Sequence, residues 1–110
     1  MSFIYHRVPE FDKQFFRLTK KNTALRDRFI NKIEQILIDP DIGEPKSYCL
    51  KGVRSVHVDP FVIVYMIIGN CIVFLYVAHH DEAYGKTAEI LQKDRILELL
   101  KKISRLYHQL

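Results

Sequence analysis

The sequence has little of what marks the more specialised classes of protein. Its two cysteines, Cys49 and Cys71, are twenty-two positions apart, and no Cys-x-x-Cys pair occurs. That excludes a disulfide framework and argues against a zinc ribbon. The two thiols fit a protein kept in a reducing cytoplasm. No apolar run exceeds eight residues, far short of the roughly 20 that a membrane helix needs, so no membrane association is expected. The stretch MSFIYHRVPEFDK has no basic segment leading into an apolar core, so no secretion signal is expected either. A surplus of acid is also missing: Lys and Arg number 17 against 13 Asp and Glu, a formal net charge of +4. That balance leans towards an acidic partner such as nucleic acid, although surplus lysine is often only solvated surface.

What is present describes one globular domain over residues 1–110. Apolar residues make up 48% and charged residues 27% of the chain, enough for a single core and too apolar for disorder. "FIYHRV", residues 3–8, predicts a short strand. Pro9 suits a first helical turn, and Phe11, Phe15 and Leu18 fall on one helical face. Thr23 is placed to cap a second helix whose stripe is Leu25, Phe29, Ile33, Ile36 and Leu37, ended by Asp39-Pro40. Residues 39–48, with two prolines and a glycine, read as a loop.

Next, "VRSVHV" alternates, with Arg54, Val56 and Val58 on one face and Ser55, His57 and Asp59 towards the other. "FVIVYMII" is apolar on both faces and reads as the most buried strand. Gly69-Asn70 fits a two-residue hairpin turn, from which "CIVFLYVAHH" returns antiparallel. Residues 86–110 predict one closing helix with Ile96, Leu100, Ile103, Tyr107 and Leu110 on a face and a Glu98–Lys102 pair on its surface. The fold class is therefore α+β: a strand, a helical hairpin, a three-stranded antiparallel meander and a C-terminal helix. Helices on one side of such a sheet would leave the other side open for binding.

The unusual stretch is "YVAHHDEAYG". In an up-down-up meander the first and third strands end at the same edge, with backbones about 10 Å apart. His57 and either His79 or His80 would then lie one strand apart; parity alone leaves open which of the two shares His57's side. Paired imidazoles suit acid–base chemistry without a metal, because their unperturbed pKa lies near neutrality. RNA brings its own nucleophile, the ribose 2′-OH. Lys46, Lys51 and Arg54 are candidates to stabilise the phosphate, and Tyr84 to stack on a base. Chelation by His79, His80 and Asp81 is disfavoured, since neighbours on a strand point to opposite faces; no metal or cofactor is expected. His6 and His108 have no such context and read as surface residues.

"VRSVHVDPFVIVY" and "YVAHHDEAYG" resemble motifs of the RelE/ParE toxin superfamily, most closely its YafQ-type branch, and "LKG" before them resembles the stretch leading into the superfamily's second strand. The resemblance implies a RelE-like fold and a cytoplasmic, ribosome-dependent mRNA endonuclease of a type II toxin–antitoxin system. It implies a cognate antitoxin as partner, with oligomers formed only through that antitoxin. By position, His57 matches the first catalytic histidine, His80 the terminal histidine and Tyr84 the terminal aromatic residue. Two departures stand out. Phe61 and Val62 follow Pro60 where the family has a catalytic acid, leaving Asp59 as the nearest substitute. Tyr48 and Cys49 stand where it has a further histidine. These gaps keep a second expectation in play: a non-catalytic toxin of the topoisomerase-inhibiting ParE kind, or an inert relic on the same scaffold.

Overall fold

A computed structural model describes residues 3–47 and 50–107. Its centre is a five-stranded sheet in the order β1-β5-β4-β3-β2. The strands are β1 (Ile4–Arg7), β2 (Glu44–Pro45), β3 (Val53–Val58), β4 (Phe61–Ile68) and β5 (Cys71–His79). The expected meander is there, β3, β4 and β5 pairing antiparallel in sequence order. β4 and β5 supply much of the core: Val62, Ile63, Val64 and Tyr65 of β4 and Ile72, Phe74, Leu75 and Val77 of β5 are all buried. Gly69, at φ 60°, makes the tight turn between them. β1 lies parallel to β5, with Tyr5 opposite Ile72.

The helical hairpin also forms: α1 (Pro9–Thr19) and α2 (Thr23–Ile38). Pro9 occupies the first helical turn as expected. The cap of α2 is Asn22 rather than Thr23; its side chain accepts a hydrogen bond from the Leu25 amide at 3.0 Å. Phe11, Leu25, Phe29 and Ile36 are buried from this layer. Phe29 meets Phe61 and Phe11 meets Phe74, so the hairpin lies on the sheet face that carries Phe61, Tyr65 and Phe74.

Three expectations are corrected. The C-terminal segment is two helices, α3 (His80–Ile90) and α4 (Asp94–Tyr107). A straight helix turns about 100° per residue, so Ile96 would point well away from the face of Ile90. The break at residues 91–93 lets both be buried. On α4 the surface ion pair is Glu98 with Lys101 at 3.8 Å, instead of Lys102. Leu110 and His108 lie outside the described residues.

The second correction concerns the open face. α3 packs on β4 and β5 from the side opposite the hairpin, and Tyr107 of α4 reaches His6 of β1 there. Helices therefore cover both faces; on the second face β3 is buried at Val53 and Ser55 and exposed at His57.

The third correction is in residues 39–48, expected to be all loop. Pro40–Ile42 form a 3₁₀ turn, and β2 adds a short strand to β3, Glu44 opposite Ser55 and Pro45 opposite Arg54. This segment is pinned by Tyr65, whose hydroxyl accepts from the Gly43 amide at 3.0 Å and donates to the Pro40 carbonyl.

Candidate active site

The site is built around the turn that joins β3 to β4. His57 is the exposed penultimate residue of β3, opposite Val62, because β2 stops short and leaves this half of β3 as a free edge. Its Nδ1 stands 3.6 Å from the carboxylate of Asp59. Arg28 of α2 donates to the carbonyl of Asp59 at 2.9 Å, tying the turn to the hairpin. His57, Asp59 and Arg28 line an open hollow of ≈ 370 Å³ together with Asn31, Lys32 and Gln35.

β5 brings the second histidine to the same turn. The His80 amide donates to the Pro60 carbonyl at 3.1 Å. His57 and His80 thus both adjoin the Asp59-Pro60 turn, one through Asp59 and the other through Pro60. His79 is the last residue of the strand and His80 the first of α3. In the ladder His79 pairs with Phe61 and their rings meet edge to face, which puts His79 on the hairpin side. Ala78 shares a cross-strand row with Val62 and His57. The strand does not run through both histidines. His79 has ψ 141° and caps the helix, its Nδ1 accepting from the Asp81 amide at 3.2 Å. The change of conformation brings the two rings to 4.5 Å between centroids. The premise that neighbouring strand residues must diverge therefore fails here.

Tyr84 comes from the first turns of α3 and crosses over β3. Its hydroxyl is 3.1 Å from that of Ser55, itself buried two residues before His57 on the same face. The ammonium of Lys46 lies 4.5 Å from the centre of the Tyr84 ring and donates to Glu44 at 2.9 Å. The bond to Glu44 holds the Lys46 ammonium above the usual lysine range, and the same bond pulls the Glu44 carboxyl below its usual range.

Arg54 is placed differently from Lys46. It points to the hairpin face, where its guanidinium donates to the Gly43 carbonyl at 2.8 Å and lies 3.6 Å from the Asp41 carboxylate. Lys51 is exposed in the turn leading to β3. Tyr48 and Cys49, at the place of the missing loop histidine, lie outside the described residues.

Three contributors were not singled out from sequence. Glu44 and Lys46 are two apart, the spacing that puts strand residues on one face, and Ser55 stands in the same relation to His57. Those spacings were a readable signal for Glu44 and Ser55. Arg28 carried none, since its approach to Asp59 crosses thirty-one positions.

Residues 8–84 match the family model for the ParE toxin of type II toxin–antitoxin systems, parDE. A protein of Methanocaldococcus jannaschii named as a candidate toxin, RelE4, is 28% identical over 82 residues, 72% of this chain and 87% of its own. Among solved structures, a mutant of Escherichia coli toxin RelE in the free state superposes with a TM-score of 0.64 at 16% identity, over 81% of this chain and 97% of that one. The toxin–antitoxin complex RelBE2 from Mycobacterium tuberculosis gives 0.59 at 18%, over 73% of this chain and 100% of the matched one. YafQ from E. coli gives 0.56 at 18%, over 70% and 92%. At these identities the superpositions establish a shared fold.

Proposed function

Because the chain belongs to the ParE toxin family of type II toxin–antitoxin systems, within the RelE/ParE superfamily, we propose that it is a ribosome-dependent mRNA endonuclease that a cognate antitoxin holds inactive in the cytoplasm. The observation that carries this reading is that two exposed histidines flank one turn, the His57 ring beside Asp59 and the His80 backbone amide donating to Pro60. In the proposed reaction His57 accepts the proton of the ribose 2′-OH, and Asp59 orients its ring. The 2′-oxygen attacks the adjacent phosphorus, the bond to the 5′-oxygen breaks, and His80 protonates that leaving oxygen. The products are a 2′,3′-cyclic phosphate and a 5′-hydroxyl.

Negative charge grows on the phosphate during the attack, and in this reading Lys46, beside Tyr84, offsets it, with Lys51 and Arg54 as further cations for the RNA backbone. In this reading the half-buried Tyr84 ring and the Lys46 ammonium 4.5 Å from its centre together receive a base of the mRNA and its phosphate. An antitoxin partner is supported by the family and by the fold shared with the toxin of the RelBE2 complex.

The test is to add the purified chain to translating ribosomes and map the 3′ ends of the mRNA. New ends bearing 2′,3′-cyclic phosphate, absent with His80→Ala, are expected; intact mRNA at high dose would contradict the reading. A second reading, a topoisomerase-inhibiting toxin without catalysis, is favoured by one observation. The residue after Pro60 is Phe61, which packs on Phe29 with ring centres 5.6 Å apart and offers no acid.

A further inference from the structure

Among the described residues, His79, His80 and Asp81 are the group whose potential ligating atoms all lie within 4.8 Å of one another. The β5–α3 joint creates this grouping, because the backbone turns from strand to helix between the two histidines. Asp81 reaches both rings: one carboxylate oxygen is 3.0 Å from Nδ1 of His80 and the other 3.5 Å from Nδ1 of His79. A tetrahedral ion with bonds of about 2.0–2.1 Å separates its ligands by about 3.3 Å. The two gaps straddle that value.

All three side chains are exposed enough for an ion to enter without opening the fold. Among the described residues, Asp81's ionic partners are these two imidazoles and no lysine or arginine. Two imidazoles and one carboxylate suit a borderline cation, whereas Mg²⁺ and Ca²⁺ favour all-oxygen sites. The Asp81 charge offsets the positive end of α3. An ion on Nδ1 of His79 would displace the long bond from the Asp81 amide, so the site is weaker than a closed structural one.

We propose that the β5–α3 joint binds a borderline divalent cation, of which Zn²⁺ is the probe, and that its occupation stops RNA cleavage by taking the lone pair of His80. The binding half stands on geometry alone; the inhibition half rests on the role proposed for His80 above.

The test uses the full chain without a histidine tag, titrated with Zn²⁺ by calorimetry and by imidazole ¹⁵N spectra. One ion per chain is expected, with shifts at His79 and His80. The double variant His79→Ala/Asp81→Asn should weaken binding more than tenfold, while His57→Ala leaves it unchanged. No binding at millimolar Zn²⁺, or binding that survives the double variant, would overturn the site. Cleavage is then followed against Zn²⁺, each protein relative to its own metal-free rate. Saturating Zn²⁺ should suppress the parent more than tenfold and Asp81→Asn far less. Zn²⁺ bound at full occupancy with cleavage unchanged overturns the inhibition half. If no RNA is cleaved under any condition, the proposed function fails, whereas the titration still decides the site.

Discussion

The hydroxyls of Ser55 and Tyr84 meet 3.1 Å apart, and this contact ties the first turns of α3 to the strand that carries His57. Ser55 is almost fully buried, so it has no water to replace a lost partner. Tyr84→Phe should therefore cost about 1–3 kcal/mol of stability, the range for a stranded buried polar group. It keeps the ring and should retain most cleavage. Tyr84→Ala removes the stacking surface as well, worth about 1–3 kcal/mol per base, and should lower cleavage by about tenfold or more. Urea unfolding and single-turnover cleavage separate the two effects.

Lys46 and Arg54 are expected to fail in different ways. Lys46→Gln leaves Glu44 and the face of Tyr84 without their cation, at an exposed place where the ion pair itself adds little stability. It should weaken RNA binding and flatten its salt dependence while the fold is kept. Arg54→Gln removes donors to Gly43 and Asp41, so its main effect should appear in the urea midpoint. Equal losses of stability in the two variants would contradict this assignment.

Gly43 is required by its neighbour. A Cβ built on it would stand 2.3 Å from the Tyr65 hydroxyl and 3.0 Å from the Arg54 Cβ. Because the Tyr65 ring is buried, it has no free space to retreat into. Gly43→Ala should displace the 40–45 segment and destabilise by about 1–3 kcal/mol, the usual result of overpacking. Tyr65→Phe should cost a similar amount by stranding the Gly43 amide and the Pro40 carbonyl. Thermal unfolding of both variants checks this.

Glu10 gives the fold its acid sensitivity. Burial alone would raise its carboxyl, but hydrogen bonds from Lys93 and Arg95 outweigh that and lower it from 4.5 to about 2. The folded value is depressed, so the stabilisation is complete above about pH 4.5 and is lost as pH falls towards 2. The bridge fastens α1 to the break between α3 and α4. Glu10→Gln should be clearly less stable than the parent at pH 6, with the gap closing between pH 4.5 and 2 in urea titrations.

Much of this was readable from the chain, for reasons that differ by element. The β3–β5 meander and the α1–α2 hairpin follow local periodicity, and the apolar stripe of Phe29 and Ile36 needs no distant partner to be recognised. β2 was hidden because two residues, Glu44 and Pro45, have no periodicity; their pairing with β3 alone makes them a strand. The break after Ile90 has neither proline nor glycine to announce it. At the site, sequence order put His57 and the His79-His80 pair at one sheet edge, where both now adjoin the Asp59-Pro60 turn. The conformation of that pair was not legible, since it depends on His79 capping a helix that begins inside the expected strand.

The most direct measurement compares growth arrest and mRNA cleavage on induction of the parent and of His57→Ala/His80→Ala. Both histidines are exposed, so the double variant should fold, as circular dichroism can verify. Loss of a general acid or base costs about 10²–10⁴-fold. The expected result is a folded double variant that cleaves no detectable mRNA and no longer arrests growth. A folded double variant that remains fully toxic would contradict the account.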